Sequence, residues 1–381
     1  MPRHAGDFQI IKRRDRDGIY YARFRNESGD LLPWTSTGLT SRTAARSWAA
    51  KQVRAGTATS NRVLTFARYA EKWWTPEHEY IRGKLARGRH ISRSYCDNQR
   101  RNLEKYILPA FGSKRLASIK TGSIETWCLS LGDAYGIGPV AVNHVLRCLK
   151  TMLAEARRLG LISANPAADV APLQEAKKQR QVLTLAEIAR LFDEATIGTA
   201  WSGDERAYTG ALIGASCGLR LGEIQGLTVG SVRDGYLVVS HAWERRYGLK
   251  PPKTGAVRQV PLPGRTARHL RGLMEASPYQ LAGDLVFYGS DRAHAVDNKR
   301  FANGLNRALA EIGIGETERE ARGLTFHGLR HTFASIMRGK VPDHVLAAMT
   351  GHKTPRMVDH YSHPGADELA SFAQVQEAIL Q

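Results

Sequence analysis

The segment TFHGLRHTFAS, residues 325–335, is the starting point for interpreting the second half of the chain. His327 and Arg330 are three residues apart, so near the start of a helix they face the same way and can grip an anion together. Taken alone, the pair is equally typical of a capping histidine beside a salt-bridged arginine. Its meaning therefore depends on the clusters that accompany it.

Two further clusters precede it. In CGLRLGEIQGL, residues 217–227, Glu223 follows Arg220 by three positions, close enough on a helix to fix a neighbouring side chain. In PPKTGAVRQVPLP, residues 251–263, Lys253 is predicted to lie at a hairpin turn. Each has a plainer interpretation, a surface ion pair for Arg220 and protection of a sheet edge for Lys253.

The last cluster is GHKTPRMVDHYSH, residues 351–363, in which Tyr361 follows His352 by nine residues. A lone tyrosine is more often half-buried packing than a nucleophile. The order and spacing of all four clusters, however, resemble the tyrosine recombinase (phage integrase) family from about Leu64 to the C-terminus. ALIGASCGLRLGEIQGL looks like the first box of that family, and LTFHGLRHTFAS with TGHKTPRMVDHY looks like the second.

The resemblance implies a catalytic set of six residues: Arg220, Lys253, His327, Arg330, His352 and Tyr361. Tyr361 would be the nucleophile that attacks a DNA phosphodiester and holds a 3′-phosphotyrosine. The two arginines and His352 would stabilise the charge on the non-bridging oxygens, as Mg²⁺ does in other phosphoryl transfers. His327 would take or share the tyrosine proton, and Lys253 would protonate the departing 5′-oxygen. No metal or other cofactor is expected.

The expected fold is multidomain and mainly α-helical. Apolar and polar residues alternate over 8–41 and a helical pattern follows, which predicts a small β-rich domain over 1–58. By resemblance this is an arm-type DNA-binding domain. Helical periodicity then predicts a helical bundle over 62–172. The resemblance implies that this bundle is the core-site DNA-binding domain. Residues 182–381 are expected to form a mixed α+β, mostly helical catalytic domain.

Positive charge is concentrated in the first half of the chain. The 381 residues carry 55 basic and 36 acidic side chains, a net charge of +19, and residues 1–180 account for 32 and 15 of these. Such an excess is typical of a polyanion binder, although a solvated basic surface is the plainer alternative. Five arginines of the β-rich module could likewise either face DNA or lie on a solvated face of the sheet: Arg13, Arg14, Arg16, Arg23 and Arg25.

Membrane insertion and secretion are not expected. The longest uncharged stretch, residues 207–219, is too short for a membrane span, and the N-terminus lacks an apolar signal core. The four cysteines lie far apart without a CxxC pair, which argues against a zinc site and fits a reducing bacterial cytoplasm.

The leading hypothesis is a site-specific recombinase that integrates and excises a phage or another mobile element. A type IB topoisomerase-like enzyme and a non-catalytic DNA-binding regulator are the alternatives. The expected partners are double-stranded DNA at core and arm sites and, by resemblance, a homotetramer on DNA, a host DNA-bending protein and an excision directionality factor. An amphipathic segment over 366–381 would pack onto a neighbouring protomer or cap its own.

Overall fold

The chain divides into two compact units, Met1–Ala176 and Lys177–Gln381. The computed structural model describes residues 8–13, 18–25, 31–54, 64–175, 181–252, 255–338, 340–351, 373–374 and 376–377. The three-domain division expected from the sequence stays a prediction.

The first unit begins with a small antiparallel sheet and a helix. The strands are β1 (Phe8–Lys12), β2 (Tyr20–Phe24) and β3 (Thr35–Ser36), and the helix is α1 (Arg42–Arg54). Strand β2 pairs with both others, and Ala22, Phe24 and Ala49 are buried between the sheet and the helix. This is the order of elements that the alternating pattern predicts.

Two of the five arginines of this module lie against aromatic rings. Arg13 lies 5.3 Å from the ring centre of Tyr21, and Arg23 lies 4.7 Å from that of Trp34. Arg14 and Arg16 fall outside the described residues.

The rest of the first unit is helical. Its helices are α2 (Phe66–Ala70), α3 (Glu79–Ala86), α4 (Arg93–Asn102), α5 (Leu108–Phe111), α6 (Thr121–Tyr135) and α7 (Pro139–Arg158). Thr65 caps α2, because its side chain accepts a hydrogen bond from the backbone N–H of Arg68. The aromatic residues after it, Phe66, Trp73 and Trp74, are buried in the core and do not form an exposed platform.

Pro109 and Gly112 are the residues predicted to end a helix in this bundle, and the outcome differs between them. Gly112 is the C-cap of α5, as expected, but the chain runs from α4 through Pro109 into α5 by way of a π-helical turn over Leu103–Ile107. In that turn the N–H of Leu108 donates to the carbonyl of Leu103, five residues back. The wider turn allows the proline, which has no N–H, to fall in the first turn of the next helical segment.

The second unit is mostly helical with small sheets, as predicted. Its helices are α8 (Leu185–Leu191), α9 (Ile197–Ala200), α10 (Glu205–Ser216), α11 (Leu221–Gln225), α12 (Gly264–Glu275), α13 (Asn298–Glu311), α14 (Glu316–Arg322), α15 (Phe326–Met337) and α16 (Asp343–Thr350). The sequence places Thr184 three residues before Glu187, a spacing that predicts a capping box, and the two form that box at the start of α8.

Helix α10 is the centre of this unit. It is buried from Ala207 to Ser216 and packs against α12, α13 and α15. Small residues allow this close packing: a Cβ atom at Gly210 would come within 2.2 Å of the Phe301 ring, and one at Gly214 within 3.4 Å of Leu329. The helix therefore holds its own C-terminal end, and the Arg220 loop that follows, in a fixed place.

The strands form two separate sheets. Strands β4 (Val232–Arg233), β5 (Tyr236–Val239) and β8 (Arg258–Pro261) make one, and β6 (Ala242–Glu244) and β7 (Gly248–Lys250) make the other.

Strands β6 and β7 pair with each other, and β8 pairs with β5. Lys253, which is predicted at a hairpin turn, follows β7 in the sequence and lies outside the described residues, so that expectation stays a prediction. The segment DLVFYG, residues 284–289, has a sequence that predicts a short strand, but it forms only isolated bridges, because Leu285 and Tyr288 each pair with one residue, Thr228 and Ala295 respectively.

The described part of the C-terminal segment contacts its own chain. Gln376 is fully buried, and its Nε2 donates to the carbonyls of Ser216, at 2.8 Å, and Pro261, at 3.3 Å. These residues thus adopt the second of the two expected arrangements, a cap on the same protomer. Among the residues described, no helix is both long and apolar enough to cross a bilayer.

Candidate active site

The site begins where α10 ends. Gly218 has φ +66°, a conformation that favours glycine, and a Cβ atom there would come within 2.4 Å of the Phe333 ring. The turn leads directly to Arg220, the residue before the first turn of α11. A tight glycine turn after a buried helix therefore fixes the backbone of the first predicted catalytic arginine.

The side chain of Arg220 is held by Glu223, as the spacing in the sequence predicts. The backbone N–H of Arg220 donates to Glu223 Oε2 and its Nη1 donates to Oε1, both at 2.9 Å. The Arg220 side chain keeps 22 % of its surface exposed, whereas that of Glu223 keeps 2 %. The Arg220 guanidinium is thus held by the buried Glu223 carboxylate and remains accessible to solvent.

A second arginine, Arg258 on β8, holds the same carboxylate. Its Nη1 and Nη2 donate to the two oxygens of Glu223 at 3.0 and 2.7 Å. Burial would raise the pKa of the Glu223 carboxyl, but the hydrogen bonds and charge of Arg258, with those of Arg220, hold the pKa below its ordinary value. Glu223 is therefore an anion that both arginines share.

The second predicted catalytic arginine, Arg330 on α15, is only 2 % exposed. Its Nη1 donates to the carbonyl of Gly218 at 2.7 Å, and its Nη2 donates to the carbonyl of Thr350. Burial, and next the charge of Arg220, lower the pKa of Arg330 to about 9, which still leaves it protonated at neutral pH. Arg330 thereby links the loop before Arg220 to the end of α16.

The C-terminal end of α16 receives a hydrogen bond from each of three arginines. Arg258 Nε donates to the Met349 carbonyl at 2.8 Å, Arg330 donates to that of Thr350, and Arg220 Nη2 reaches that of Gly351 at 3.4 Å. Carbonyls at this end of a helix have no partner within the helix and carry partial negative charge, so cations are favoured there. The chain position that follows is His352.

His327 lies at the start of α15 and is exposed. Its ring meets that of His331 edge to face, with 4.9 Å between the ring centres. Arg330, three residues on, is buried, so the two residues differ in exposure although the spacing places them near one another along the helix.

Three of the six predicted catalytic residues, Lys253, His352 and Tyr361, lie outside the described residues. On either side of Lys253, the Gly255 N–H donates to the Pro252 carbonyl at 2.8 Å. The described residues thus bring together Arg220 and Arg330 and leave the other roles as predictions.

The model of the phage integrase family matches residues 181–368, which include all six predicted catalytic residues. This part of the chain belongs to the phage integrase family. The match confirms the predicted enzyme class, a tyrosine site-specific recombinase. No curated protein matches the chain.

Solved integrases share the fold of this chain. The Tn1549 transposon integrase in complex with a circular intermediate DNA is 20% identical with a TM-score of 0.59, over 78% of this chain and 98% of that one. A lambda integrase tetramer bound to a Holliday junction is 18% identical with a TM-score of 0.55, over 93% and 98%. A lambda integrase dimer bound to a COC' core site is 18% identical with a TM-score of 0.53, over 80% and 100%.

Arg258 is the residue of the integrase domain that sequence reasoning missed. A signal was present, because Arg258 and Val260 alternate on the buried face of β8 and a charged residue at an inward position of a strand needs a buried partner. The sequence does not show which residue is that partner.

Proposed function

We propose that this integrase cuts and rejoins DNA strands at specific sites through a 3′-phosphotyrosine intermediate, and so integrates and excises a phage or another mobile element. The observation that carries the proposal is the meeting of Arg220 and Arg330 at the last carbonyls of α16, directly before His352. Two guanidiniums that are charged at neutral pH and meet at one point suit a phosphate whose non-bridging oxygens gain charge in the transition state.

In this mechanism the Tyr361 oxygen attacks phosphorus, and the bond from phosphorus to the 5′-oxygen breaks. His327 takes or shares the tyrosine proton, Lys253 supplies a proton to the departing 5′-oxygen, and His352 adds a hydrogen bond to the phosphate. One P–O bond replaces another, so the free 5′-hydroxyl of a second strand can reverse the step without an external energy source.

We propose that the helical part of the first unit binds the core site through a cleft between α4 and α7. The cleft measures about 520 Å³, and no acidic side chain lines it among the residues described. Tyr95 and Asn98 on α4 and His144 and Arg147 on α7 are exposed and recur at helical spacing along it. Basic and amide side chains of this kind bind phosphates and base edges.

Gln99 gives this cleft a second feature that suits a ligand. It is only 8% exposed, and its Oε1 has no hydrogen-bond partner in the described part of the chain, although it lines the cleft. A buried acceptor without a partner is costly unless a ligand or water donates to it. An amino group at a base edge is such a donor.

The assembly and the remaining partners follow from the same function. The lambda integrase is known as a tetramer bound to a Holliday junction, and we propose a homotetramer on DNA here as well. The N-terminal module, over 1–58, would bind arm sites, with a host DNA-bending protein and a directionality factor in the bacterial cytoplasm.

The test uses DNA from the flanks of the gene, searched for an attachment site with repeated arm sequences. A nicked suicide substrate built on that site should become covalently attached to the wild-type protein, in a complex that survives denaturant. The Tyr361→Phe variant should shift the same DNA in a gel and form no adduct. An adduct with the Tyr361→Phe variant would show that Tyr361 is not the nucleophile. If the wild type formed no adduct, the proposal of an enzyme would fail and a non-catalytic DNA-binding regulator would be the better explanation.

A further inference from the structure

Arg258 is a buried cation with no part in the predicted catalytic set. It is 7% exposed, and three of its nitrogens donate to three different acceptors: Nη1 and Nη2 to the two oxygens of Glu223, and Nε to the Met349 carbonyl. A buried ion pair adds little net stability compared with apolar residues of the same size. Its presence next to the site therefore calls for a function other than stability.

The first consequence of Arg258 concerns Arg220. Glu223 accepts four hydrogen bonds, two from Arg258 and two from Arg220. These fill the lone-pair positions of a carboxylate, so the orientation of the carboxylate plane is fixed by Arg258 on one side and transmitted to Arg220 on the other. The Arg220 guanidinium is thus oriented by Arg258 through the shared Glu223 carboxylate.

The second consequence concerns the chain that leads to His352. Gly351 ends α16 with φ +63°, and a Cβ atom there would come within 3.4 to 3.5 Å of the Arg258 guanidinium. Arg258 therefore packs beneath Gly351 while it holds the Met349 carbonyl. It fixes both the last turn of α16 and the point where the chain leaves it.

We propose that Arg258 is a positioning residue that sets the orientation of Arg220 through Glu223 and the exit of the chain from α16 towards His352. The inference rests on the proposed function, because that function assigns Arg220 and His352 to the scissile phosphate. A lysine cannot replace it, since one ammonium nitrogen cannot serve two carboxylate oxygens and a carbonyl in the planar geometry of a guanidinium.

The proposal also predicts a change in pH dependence. Glu223 is faced by Arg220 from the start of α11, by Arg258 from β8 and, at longer range, by Arg330 from α15. Replacing Arg258 with methionine removes the largest of the effects that lower the pKa of Glu223 and leaves the carboxyl buried, so this pKa rises. A protonated Glu223 cannot accept both hydrogen bonds from Arg220. Cleavage by the variant should therefore fall further as the pH is lowered.

The experiment measures single-turnover cleavage of the suicide substrate at saturating DNA over a range of pH. It compares wild type, Arg258→Met, Arg258→Lys and the double variant Arg258→Met/Glu223→Gln. We expect both single variants to bind DNA as the wild type does and to cleave about 100-fold more slowly, the scale of losing one transition-state donor. The acid-side loss should appear in Arg258→Met and vanish in the double variant, which has no carboxyl at that position.

Two results would overturn the proposal. One is a folded Arg258→Met protein that cleaves at the wild-type rate and differs only in melting temperature, since Arg258 would then be structural. The other comes from crystal structures of the free wild type and the Arg258→Lys variant, which require no catalysis: Glu223 and Arg220 should be reoriented in the variant, and unchanged side chains would contradict the inference. Failure of wild-type cleavage, by contrast, would count against the proposed function alone.

Discussion

Arg330 donates a hydrogen bond of 2.7 Å to the carbonyl of Gly218, which lies 112 residues earlier in the chain. This contact joins the two sequence boxes of the family, because Gly218 ends the turn before Arg220. Gly218 can present its carbonyl in this direction because it adopts φ +66° and has no side chain facing Phe333. The geometry of both arginines thus depends on a glycine.

Gly218→Ala should therefore destabilise the integrase domain more than the same change at a glycine with open surroundings. Gly235 is the matched control, since it has φ +76° and, among the described residues, no atom within 4 Å of the position that a Cβ would take. Gly235→Ala should cost about 1–2 kcal/mol of unfolding free energy for the left-handed backbone alone. Gly218→Ala adds the overlap with Phe333, about 1–3 kcal/mol more. Urea denaturation measures both, and equal losses would contradict the packing argument.

The family and the helical fold could be predicted from the sequence because they depend on local periodicity and on the order of a few polar clusters. The apolar residues Val142, Val145 and Leu149 recur at helical spacing and form the buried face of α7, and the caps at Thr65 and Thr184 likewise depend on neighbouring residues. The continuation of the helix through Pro109 could not be predicted from the sequence, since the π-helical turn that accommodates the proline depends on the packing of the whole bundle.

The site shows the same division. The Arg220–Glu223 pair is local, three residues apart, and its spacing predicts it. The Arg258–Glu223 pair joins residues 35 positions apart on different elements, and no periodicity links them. Whether Lys253 lies at a hairpin turn depends on which strands pair, and strand pairing is a long-range choice that alternation alone does not decide.

Glu187 should make the stability of the integrase domain depend on pH in a defined range. The pKa of Glu187 is lowered from 4.5 to about 2, and the largest cause is the hydrogen bonding with Arg322. Because the folded pKa is the lower one, the stabilisation is complete above pH 4.5 and is lost as the pH falls towards 2. Glu187→Gln keeps the cap acceptor and removes the charge, so it should lose about 1–2 kcal/mol at neutral pH and progressively less in acid.

The control for that series is Thr184→Ala, which removes the other half of the capping box. It should cost about 1 kcal/mol with a much weaker dependence on pH, because the hydroxyl does not titrate in this range and its hydrogen bond is the smallest of the causes that lower the pKa of Glu187. Unfolding free energies of the three proteins, measured from neutral pH downwards, separate the two effects. A constant difference between wild type and Glu187→Gln would refute the ion-pair explanation.

Arg101 and Arg147 should set the salt dependence of DNA binding if the cleft between α4 and α7 faces the core site. Replacing either with alanine should weaken binding to all sequences and reduce the slope of log Kd against log salt by about 1. Arg157→Ala is the matched control, an exposed arginine on α7 that does not line the cleft. Fluorescence anisotropy over a salt series gives the slopes. Equal effects of the substitutions at positions 147 and 157 would contradict a binding role for the cleft, because any lost positive charge would then weaken DNA binding to the same extent.

Arg330→Lys should abolish most DNA cleavage and leave DNA binding intact. Arg330 spans two carbonyls, those of Gly218 and Thr350, with two different nitrogens, and a single ammonium group cannot reach both and still face a phosphate. We expect the single-turnover rate on the suicide substrate to fall about 100-fold or more, because a buried transition-state donor is misplaced. Arg319→Lys, whose arginine pairs with Glu316 and Glu320 on its own helix, should cleave at the wild-type rate. If Arg330→Lys retained that rate, the guanidinium would not be needed at the phosphate.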